Sequence, residues 1–243
     1  MDYGDRYFRL PNYYNLTFKK DVELMTEKHL HAEEYYKAKD SFCSFVVSNG
    51  DNAAPIRQKI FEKLSSYKQV SSGGRFMNNV GGPVADKRAF ESKHKFSISF
   101  ENSSHAGYST EKIVNAFAAG TVPIYWGDPE IERIFNKDAF VNVADFATLE
   151  EVVEYVKFLD NNEEAYLKKL SAPALVSDAF RFENLYQKLV LFLYNIVSQP
   201  KDAAQRYNRE FWGKRYIETY KGWRDQSRMS LTEQIKNKIK SKF

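Results

Sequence analysis

Short apolar runs alternate with segments of helical periodicity between residues 42 and 160, and this alternation constrains the fold more than any other feature. The runs "FCSFVV", "KFSISFEN", "TVPIYWG" and "AFVNV" have the length and composition of buried strands, and a further short strand is expected near Gln69 and Val70. Strands that alternate with helices over short loops form parallel sheets covered on both faces. The sequence therefore predicts an α/β fold with a Rossmann-like parallel sheet.

The segments between these runs predict helices. "PIRQKIFEKLSSY" begins with Pro55, which suits the first helical position, and it places Ile56, Ile60 and Leu64 on one face. Residues 1–40 are polar and aromatic without a clear period, and we expect at most one helix there. Further helices are predicted over residues 86–95, 110–119, 129–135, 148–160, 161–170, 180–197 and 202–221.

These patterns divide the chain into a lead-in segment, residues 1–40, a Rossmann-like domain, residues 41–200, and a helical tail, residues 201–243. The tail holds 12 Lys and Arg against 5 Asp and Glu, a net charge of +7 within a chain whose total is +4. The remaining residues therefore carry a net charge of −3, which argues against a nucleic-acid surface on the main body.

The end of the tail, "LTEQIKNKIKSKF", places Leu231, Ile235 and Ile239 at helical spacing among lysines. One interpretation is a basic amphipathic helix that contacts an anionic membrane surface. The other is a solvated terminus whose few apolar residues pack on the domain. Its lysines lack interleaved aromatic residues, so nucleic acid is not an expected partner.

Two features bear on the compartment. No stretch has the roughly 20 apolar residues that a membrane span needs, and the N-terminus lacks the apolar core of a signal peptide. The single cysteine, Cys43, stands in an apolar run and fits a buried small residue in a reducing compartment. We therefore expect a cytoplasmic protein, with any membrane contact made peripherally at the inner face.

Two cations stand where predicted strands lead into helices. Arg57 follows Pro55 in the first turn of one helix, and Lys112 follows Ser109 and Thr110, which can cap another. A cation at a helix N-terminus is repelled by the positive end of the helix dipole, whereas a bound phosphate would be attracted by both the cation and the dipole. Either both side chains extend into water or both face a phosphate group, and the residues alone leave these alternatives open.

Two neighbouring residues also allow two interpretations. Glu111 in a first helical turn either simply complements the helix dipole or accepts hydrogen bonds from a diol. Tyr108 is either a core ring or a ring beside a nucleotide.

Other chemistry finds little support in the sequence. The four histidines show no tight metal-ligand spacing, and neither a D-x-D pair nor a nucleoside-triphosphate loop occurs. No nucleophile elbow of the G-x-S-x-G type occurs either. The remaining expectation is metal-free, cofactor-free handling of a diphosphate by cations and helix ends.

The segments "APIR", "SGGR", "KFSISFENS", "GYSTEKI", "TVPIYWGDP" and "FVNVADF" resemble the C-terminal donor domain of the α-1,3/1,4-fucosyltransferases, especially the bacterial lipopolysaccharide enzymes. The resemblance covers residues 42–170, with a weaker likeness in "DRYFRLPNYY", and it is specific because many motifs occur in order.

The resemblance implies one half of a GT-B fold and GDP-fucose as the donor bound by residues 41–200. It also implies inverting transfer to a hydroxyl of GlcNAc or glucose in an acceptor such as N-acetyllactosamine. By matching motifs, Arg57 and Lys112 would hold the diphosphate and Glu111 would bind donor hydroxyls. Tyr108 and Asn102 would line the nucleotide-sugar pocket.

Family enzymes carry their general base in an N-terminal acceptor domain, which precedes the region matched here, so no residue of this chain is assigned that role. The sequence leaves three hypotheses: a donor-binding half that works with a separate acceptor-domain chain, a non-catalytic nucleotide-sugar-binding module or remnant, and a transferase for another GDP-sugar.

Overall fold

The computed structural model describes residues 7–48, 50, 54–200, 203, 213–228 and 230. The chain divides into two compact units, Met1–Leu189 and Val190–Phe243. The described part of the first unit contains five strands: β1 (Ser41–Phe45), β2 (Val70–Ser72), β3 (His94–Phe100), β4 (Val122–Trp126) and β5 (Val141–Asn142). All four neighbouring pairs are parallel, in the order β2-β1-β3-β4-β5. The predicted parallel α/β sheet is therefore confirmed.

In the described part of the first unit, three helices precede β1, three alternate with the strands as predicted, and two follow β5 in succession. They are α1 (Asn12–Leu16), α2 (Lys19–Glu27), α3 (Ala32–Lys37), α4 (Ile56–Ser65), α5 (Lys87–Ser92), α6 (Glu111–Ala118), α7 (Leu149–Asn161) and α8 (Glu163–Ser171). A further helix, α9 (Phe182–Val197), begins in the first unit and ends in the second. The predicted helix at 129–135 is reduced to a 3₁₀ turn, Ile131–Arg133.

Each face of the sheet has its own hydrophobic cluster. On one face, α4, α7 and α8 cover the strands, with buried side chains that include Ile60, Leu64 and Tyr166. On the other face, α6 packs with α2 and α1 in a second cluster that includes Ile113 and Phe117. Both faces of the sheet are thus buried, as parallel sheets require.

Alternate side chains of strand β3 face opposite sides of the sheet. Phe96, Ile98 and Phe100 belong to the first cluster, whereas Ser97 and Ser99 point to the opposite face. Ser97 Oγ donates to Glu91 Oε1 of α5 at 3.1 Å, and Ser99 Oγ donates to the carbonyl oxygen of Lys112 at 3.3 Å. The small hydroxyl side chains allow α5 and α6 to lie close to the strand and fix where α6 begins.

The prediction of at most one helix in residues 1–40 was wrong. That segment contains α1, α2, α3 and a 3₁₀ turn, Lys28–His31, and it buries Tyr13, Val22 and Met25 in the second cluster. These apolar residues are too sparse to show a period, and they form a buried set only because α6 supplies their partners. The predicted domain boundaries at residues 40 and 200 stay predictions.

The described part of the second unit contains the helix α10 (Gly213–Arg228), on which Tyr220 and Trp223 are exposed. This helix overlaps the end of the helix predicted over residues 202–221. The lysine-rich segment 231–243, on which both interpretations of the tail depend, lies outside the described residues. Within the described ranges, no helix combines the length and the apolarity needed to cross a membrane.

One lysine is fully buried in the first unit. The Nζ of Lys28 donates to the carbonyl oxygens of Leu170 at 2.6 Å and Ala172 at 2.9 Å, at the C-terminal end of α8. Burial, with a smaller contribution from the charge of Lys169, lowers the pKa of Lys28 to about 7. Burial likewise lowers the pKa of Lys39 to about 7.

These lysines predict that the free energy of unfolding rises between pH 7 and 9. In that range the folded lysine has lost its proton while the unfolded lysine keeps it, so the unfolded state binds more protons. In Lys28→Met the rise should become shallower, as measured by urea denaturation at pH 7, 8 and 9. The range stops at 9 because burial raises the pKa of tyrosines such as Tyr13, which reverses the trend at higher pH.

The exposed Lys37→Met serves as the control and should keep the slope of the parent chain. An equal slope in Lys28→Met and the parent chain would contradict the assigned pKa.

Candidate functional site

The carboxyl ends of neighbouring strands β1 and β3 lead, through loops, to the N-termini of α4 and α6. Such an edge of an open parallel sheet is where ligands bind in this class of fold. The two loops are joined directly, because the backbone N of Ala54 donates to the carbonyl oxygen of Asn102 at 2.9 Å. The predicted site residues lie around this junction.

Arg57 is the second residue of α4 and is only 2% exposed. Its Nη2 donates to the carbonyl oxygen of Phe100 at 2.8 Å and to Oδ1 of Asn102 at 2.7 Å. Burial lowers the pKa of Arg57, and the negative charges of Glu101 and Glu111 partly oppose that shift. The side chain therefore points at the end of β3, which excludes the interpretation that it extends into water.

Lys112 turns toward a carboxylate at the same strand end. Its Nζ lies 2.9 Å from Oε2 of Glu101, 2.8 Å from Oγ1 of Thr110 and 3.4 Å from Oε1 of Glu111. The Lys112 side chain is 19% exposed, whereas that of Glu101 is fully buried. The ammonium group is thus held at the start of α6, again not free in water.

The expected capping of α6 by a hydroxyl was wrong. Thr110 occupies the N-cap position, but its side chain makes no capping hydrogen bond. Its hydroxyl instead donates to Oε2 of Glu101 at 2.7 Å and accepts from Lys112, while its backbone N donates to Oε1 of Glu101 at 2.7 Å. Charged partners make stronger hydrogen bonds than a backbone N–H, so they occupy the hydroxyl.

Glu111 stands in the first turn of α6 with about a third of its side chain exposed. Burial alone would raise the pKa of Glu111. The charge of Lys112 and a hydrogen bond from the backbone N–H of Glu111 itself outweigh burial, so the net shift of that pKa is downward. At neutral pH the carboxylate is ionised and has acceptor capacity for hydroxyl groups.

Asn102 and Tyr108 border the same junction. Asn102 is half-buried and holds Arg57. Tyr108 is half-buried and belongs to neither hydrophobic cluster, which weakens the interpretation that it is a core ring. The structure thus places all five predicted residues around the end of β3 and the start of α6; their contact with a donor stays a prediction.

Two carboxylates that the sequence reasoning missed organise this region. Glu101 follows directly on the buried strand β3, and Asp128 stands two residues after the end of β4. A carboxylate close to the end of a buried strand was the available signal. Oδ1 of Asp128 accepts from the backbone N of Gly107 and of Glu130, both at 2.9 Å. Asp128 thereby ties the loop before α6 to the loop after β4.

Gly127 allows the loop after β4 to pass close to Glu101. Its φ is 156°, and a Cβ there would lie 2.5 Å from Cγ and 2.7 Å from Cβ of Glu101. The backbone N of Glu101 also donates to the carbonyl oxygen of Trp126 at 2.8 Å. Glu101 is therefore enclosed by β4 as well as by α6.

Across the described residues, no group of three or more His, Cys, Asp or Glu is placed to hold a metal ion. The expectation of metal-free, cofactor-free donor binding stays a prediction.

The model of glycosyltransferase family 10 (fucosyltransferase), C-terminal part, matches residues 36–171. The chain is similar to the alpha-(1,3)-fucosyltransferase FucT of Helicobacter pylori, with 34% identity over 228 residues, 81% of this chain and 47% of the relative. It is also similar to human 4-galactosyl-N-acetylglucosaminide 3-alpha-L-fucosyltransferase 9, with 36% identity over 134 residues, 54% of this chain and 36% of the relative. The chain spans about half or less of these curated relatives.

Among solved structures, an alpha1,3-fucosyltransferase with GDP-fucose matches with a TM-score of 0.70 and 32% identity, over 83% of this chain and 68% of that one. An alpha1,3-fucosyltransferase with GDP also matches, with a TM-score of 0.70 and 33% identity over the same shares.

The packing around Glu101 predicts that Gly127→Ala destabilises the fold more than Gly82→Ala does. Both glycines have a positive φ, 156° and 136°, but a Cβ at Gly82 meets nothing within 4 Å. The comparison therefore separates the loss of stability caused by the clash with Glu101 from the loss caused by placing an alanine at a positive φ. We expect an additional loss of about 1–3 kcal/mol in the free energy of unfolding, measured by urea denaturation. Equal losses in the two variants would contradict the tight packing of Glu101.

Proposed function

Because the chain belongs to glycosyltransferase family 10, the fucosyltransferases, we propose that it supplies the donor-binding half of a fucosyltransferase. In this proposal it binds GDP-fucose through Arg57, Asn102, Tyr108, Glu111 and Lys112. Fucose is then transferred with inversion to a hydroxyl of GlcNAc, or of glucose, in a glycan such as N-acetyllactosamine. A lipopolysaccharide glycan is the acceptor class that the sequence resemblance favours.

The observation that carries the proposal is the convergence of two cations on three consecutive residues. Arg57, from the helix after β1, contacts Phe100 and Asn102, and Lys112, from the helix after β3, contacts Glu101 between them. Two charged donors on separate helix N-termini at one sheet edge suit a ligand with two linked phosphates. The similarity to a structure solved with GDP-fucose supports the same ligand class.

In the proposed reaction, the acceptor oxygen bonds to the anomeric carbon of fucose as the bond from that carbon to the phosphate oxygen breaks. GDP leaves with the electron pair, and Arg57 and Lys112 stabilise the negative charge that develops on its oxygens. Glu111, ionised at neutral pH, accepts hydrogen bonds from donor hydroxyls. The acceptor proton goes to a general base of an acceptor-binding domain, and none of this chain's residues is assigned that role.

A second candidate uses the same residues, none of which is assigned the role of general base. In this alternative the chain is a non-catalytic nucleotide-sugar-binding module or a remnant. Both candidates use the same donor site and differ only in turnover. We further propose a cytoplasmic location, with the basic tail as the part that would contact a membrane, and no nucleic-acid partner.

Arg57→Ala and Lys112→Ala should each weaken GDP binding by about 1.5–3 kcal/mol, because each removes a charged hydrogen-bond donor from the phosphates. Isothermal titration with GDP measures the loss, and thermal melting confirms that the variants are folded. Lys59→Ala, which removes an exposed cation from α4, should bind GDP like the parent chain. Unchanged affinity in both site variants would refute their assigned roles.

Donor choice and turnover provide a separate prediction. The chain should bind GDP and GDP-fucose and discriminate against GDP-mannose, because in this proposal Glu111 accepts hydrogen bonds from particular sugar hydroxyls. Fucose transfer to N-acetyllactosamine, assayed with and without a supplied acceptor domain, separates a half-enzyme from a binding module. A chain that binds no GDP species would contradict both candidates, and a preference for GDP-mannose would indicate another GDP-sugar transferase.

A further inference from the structure

The carboxylate of Glu101 is fully buried, yet its contacts converge on the start of one helix. Its two oxygens receive the backbone N of Thr110 at 2.7 Å, the hydroxyl of Thr110 at 2.7 Å and the ammonium of Lys112 at 2.9 Å. The Lys112 ammonium in turn donates to the Thr110 hydroxyl at 2.8 Å. Glu101, Thr110 and Lys112 therefore form a closed triangle of hydrogen bonds, which we call the Glu101 triangle.

The triangle determines how the ammonium is presented. A lysine ammonium has three N–H donors, and the triangle takes two of them at short distances. The third direction has a weaker contact, 3.4 Å from Oε1 of Glu111, and Lys112 keeps 19% of its side chain exposed. A flexible four-carbon side chain is thus held in one position, and its third donor, which has only the long contact with Glu111, is the one that a phosphate oxygen would take.

The triangle also keeps the end of α6 open. A threonine at the N-cap normally accepts a hydrogen bond from the second or third backbone N–H of its helix. Thr110 makes no such bond because its hydroxyl belongs to the triangle. The N–H groups of Lys112 and Ile113 are therefore not covered by the residue best placed to cap them, and they point in the direction in which helices bind anions.

We propose that Glu101 is a positioning residue for the donor diphosphate: it fixes the Lys112 ammonium and withdraws Thr110 from capping α6. The role rests on the proposed function, since the ligand is the diphosphate of a GDP-sugar. Glu101 itself does not contact the donor. Its negative charge would repel the phosphates, and its full burial keeps it behind Lys112.

The test compares GDP with guanosine, which lacks both phosphates. Glu101→Gln keeps the size of the side chain but removes the charge that holds Lys112. It should weaken GDP binding at least tenfold by isothermal titration and leave guanosine binding within twofold. The control is Glu91→Gln, another buried carboxylate that accepts from Ser97 at 3.1 Å on α5, and it should leave both affinities unchanged.

The effect should also depend on Lys112. In a Lys112→Ala background, Glu101→Gln should weaken GDP binding by less than threefold further, because the group that it positions is gone. The positioning role would be overturned if the two substitutions weakened GDP binding additively, or if Glu101→Gln weakened the binding of GDP and guanosine equally. It would also be overturned if Glu101→Gln bound GDP as tightly as the parent chain.

Thr110→Val decides the question if Glu101→Gln does not fold. This substitution removes the hydroxyl from the triangle but keeps the hydrogen bond from the backbone N–H of residue 110 to Glu101. GDP binding should therefore weaken while guanosine binding persists. Thr110→Ser, which keeps a hydroxyl, should retain most of the GDP affinity. Unchanged GDP affinity in Thr110→Val would overturn the role. If Arg57→Ala weakens GDP binding but neither triangle variant does, only the positioning role fails, whereas a parent chain that binds no GDP overturns both proposals.

Discussion

The buried carboxylate of Glu101 is where the sheet, the helix α6 and the loop after β4 are joined. An unpaired carboxylate in a protein interior costs several kcal/mol, so such a group persists only where charge and hydrogen bonds compensate it. Here Lys112 supplies the charge and Thr110 supplies two donors. The arrangement is therefore mutually dependent: α6 must begin at residue 111 for Glu101 to be satisfied, and Glu101 must be charged for Lys112 to stay in place.

The net charge of the side chains at this sheet edge implies that the direction of hydrogen-bond donors, and not attraction to a positive surface, determines ligand binding. The two cations, Arg57 and Lys112, are matched by the carboxylates of Glu101 and Glu111, and Asp128 adds a further negative charge nearby. These side chains therefore supply no net positive charge. The main body outside the tail is also slightly negative by sequence. A diphosphate therefore finds no general positive field here, and its binding would depend on donors fixed in direction, which cost little reorganisation.

The sequence predicted the sheet well because strand signals are local. The apolar runs gave β1, β3 and β4 to within two residues at each end, and the strand-to-helix junctions brought Arg57 and Lys112 to one edge. Contacts between side chains distant in sequence could not be obtained this way. A glutamate after a strand is usually solvated, and only the folded loop, with Gly127 beside it, shows that Glu101 is enclosed and paired with Lys112. The helices of residues 1–40 escaped prediction for a related reason, since Val22 and Met25 become a core only against α6.

The same side chains therefore serve the fold and the proposed site, which affects how variants are interpreted. Removing Lys112 leaves Glu101 charged and buried, and breaking a buried pair in this way costs on the order of 3–5 kcal/mol of stability. A loss of ligand affinity in Lys112→Ala thus combines a missing phosphate contact with a helix start that has lost its anchor. Arg57 instead donates to the carbonyl oxygen of Phe100 and to Oδ1 of Asn102 at the end of β3. A comparison of the two variants in both stability and GDP affinity therefore shows how far the site depends on the contact between Lys112 and Glu101.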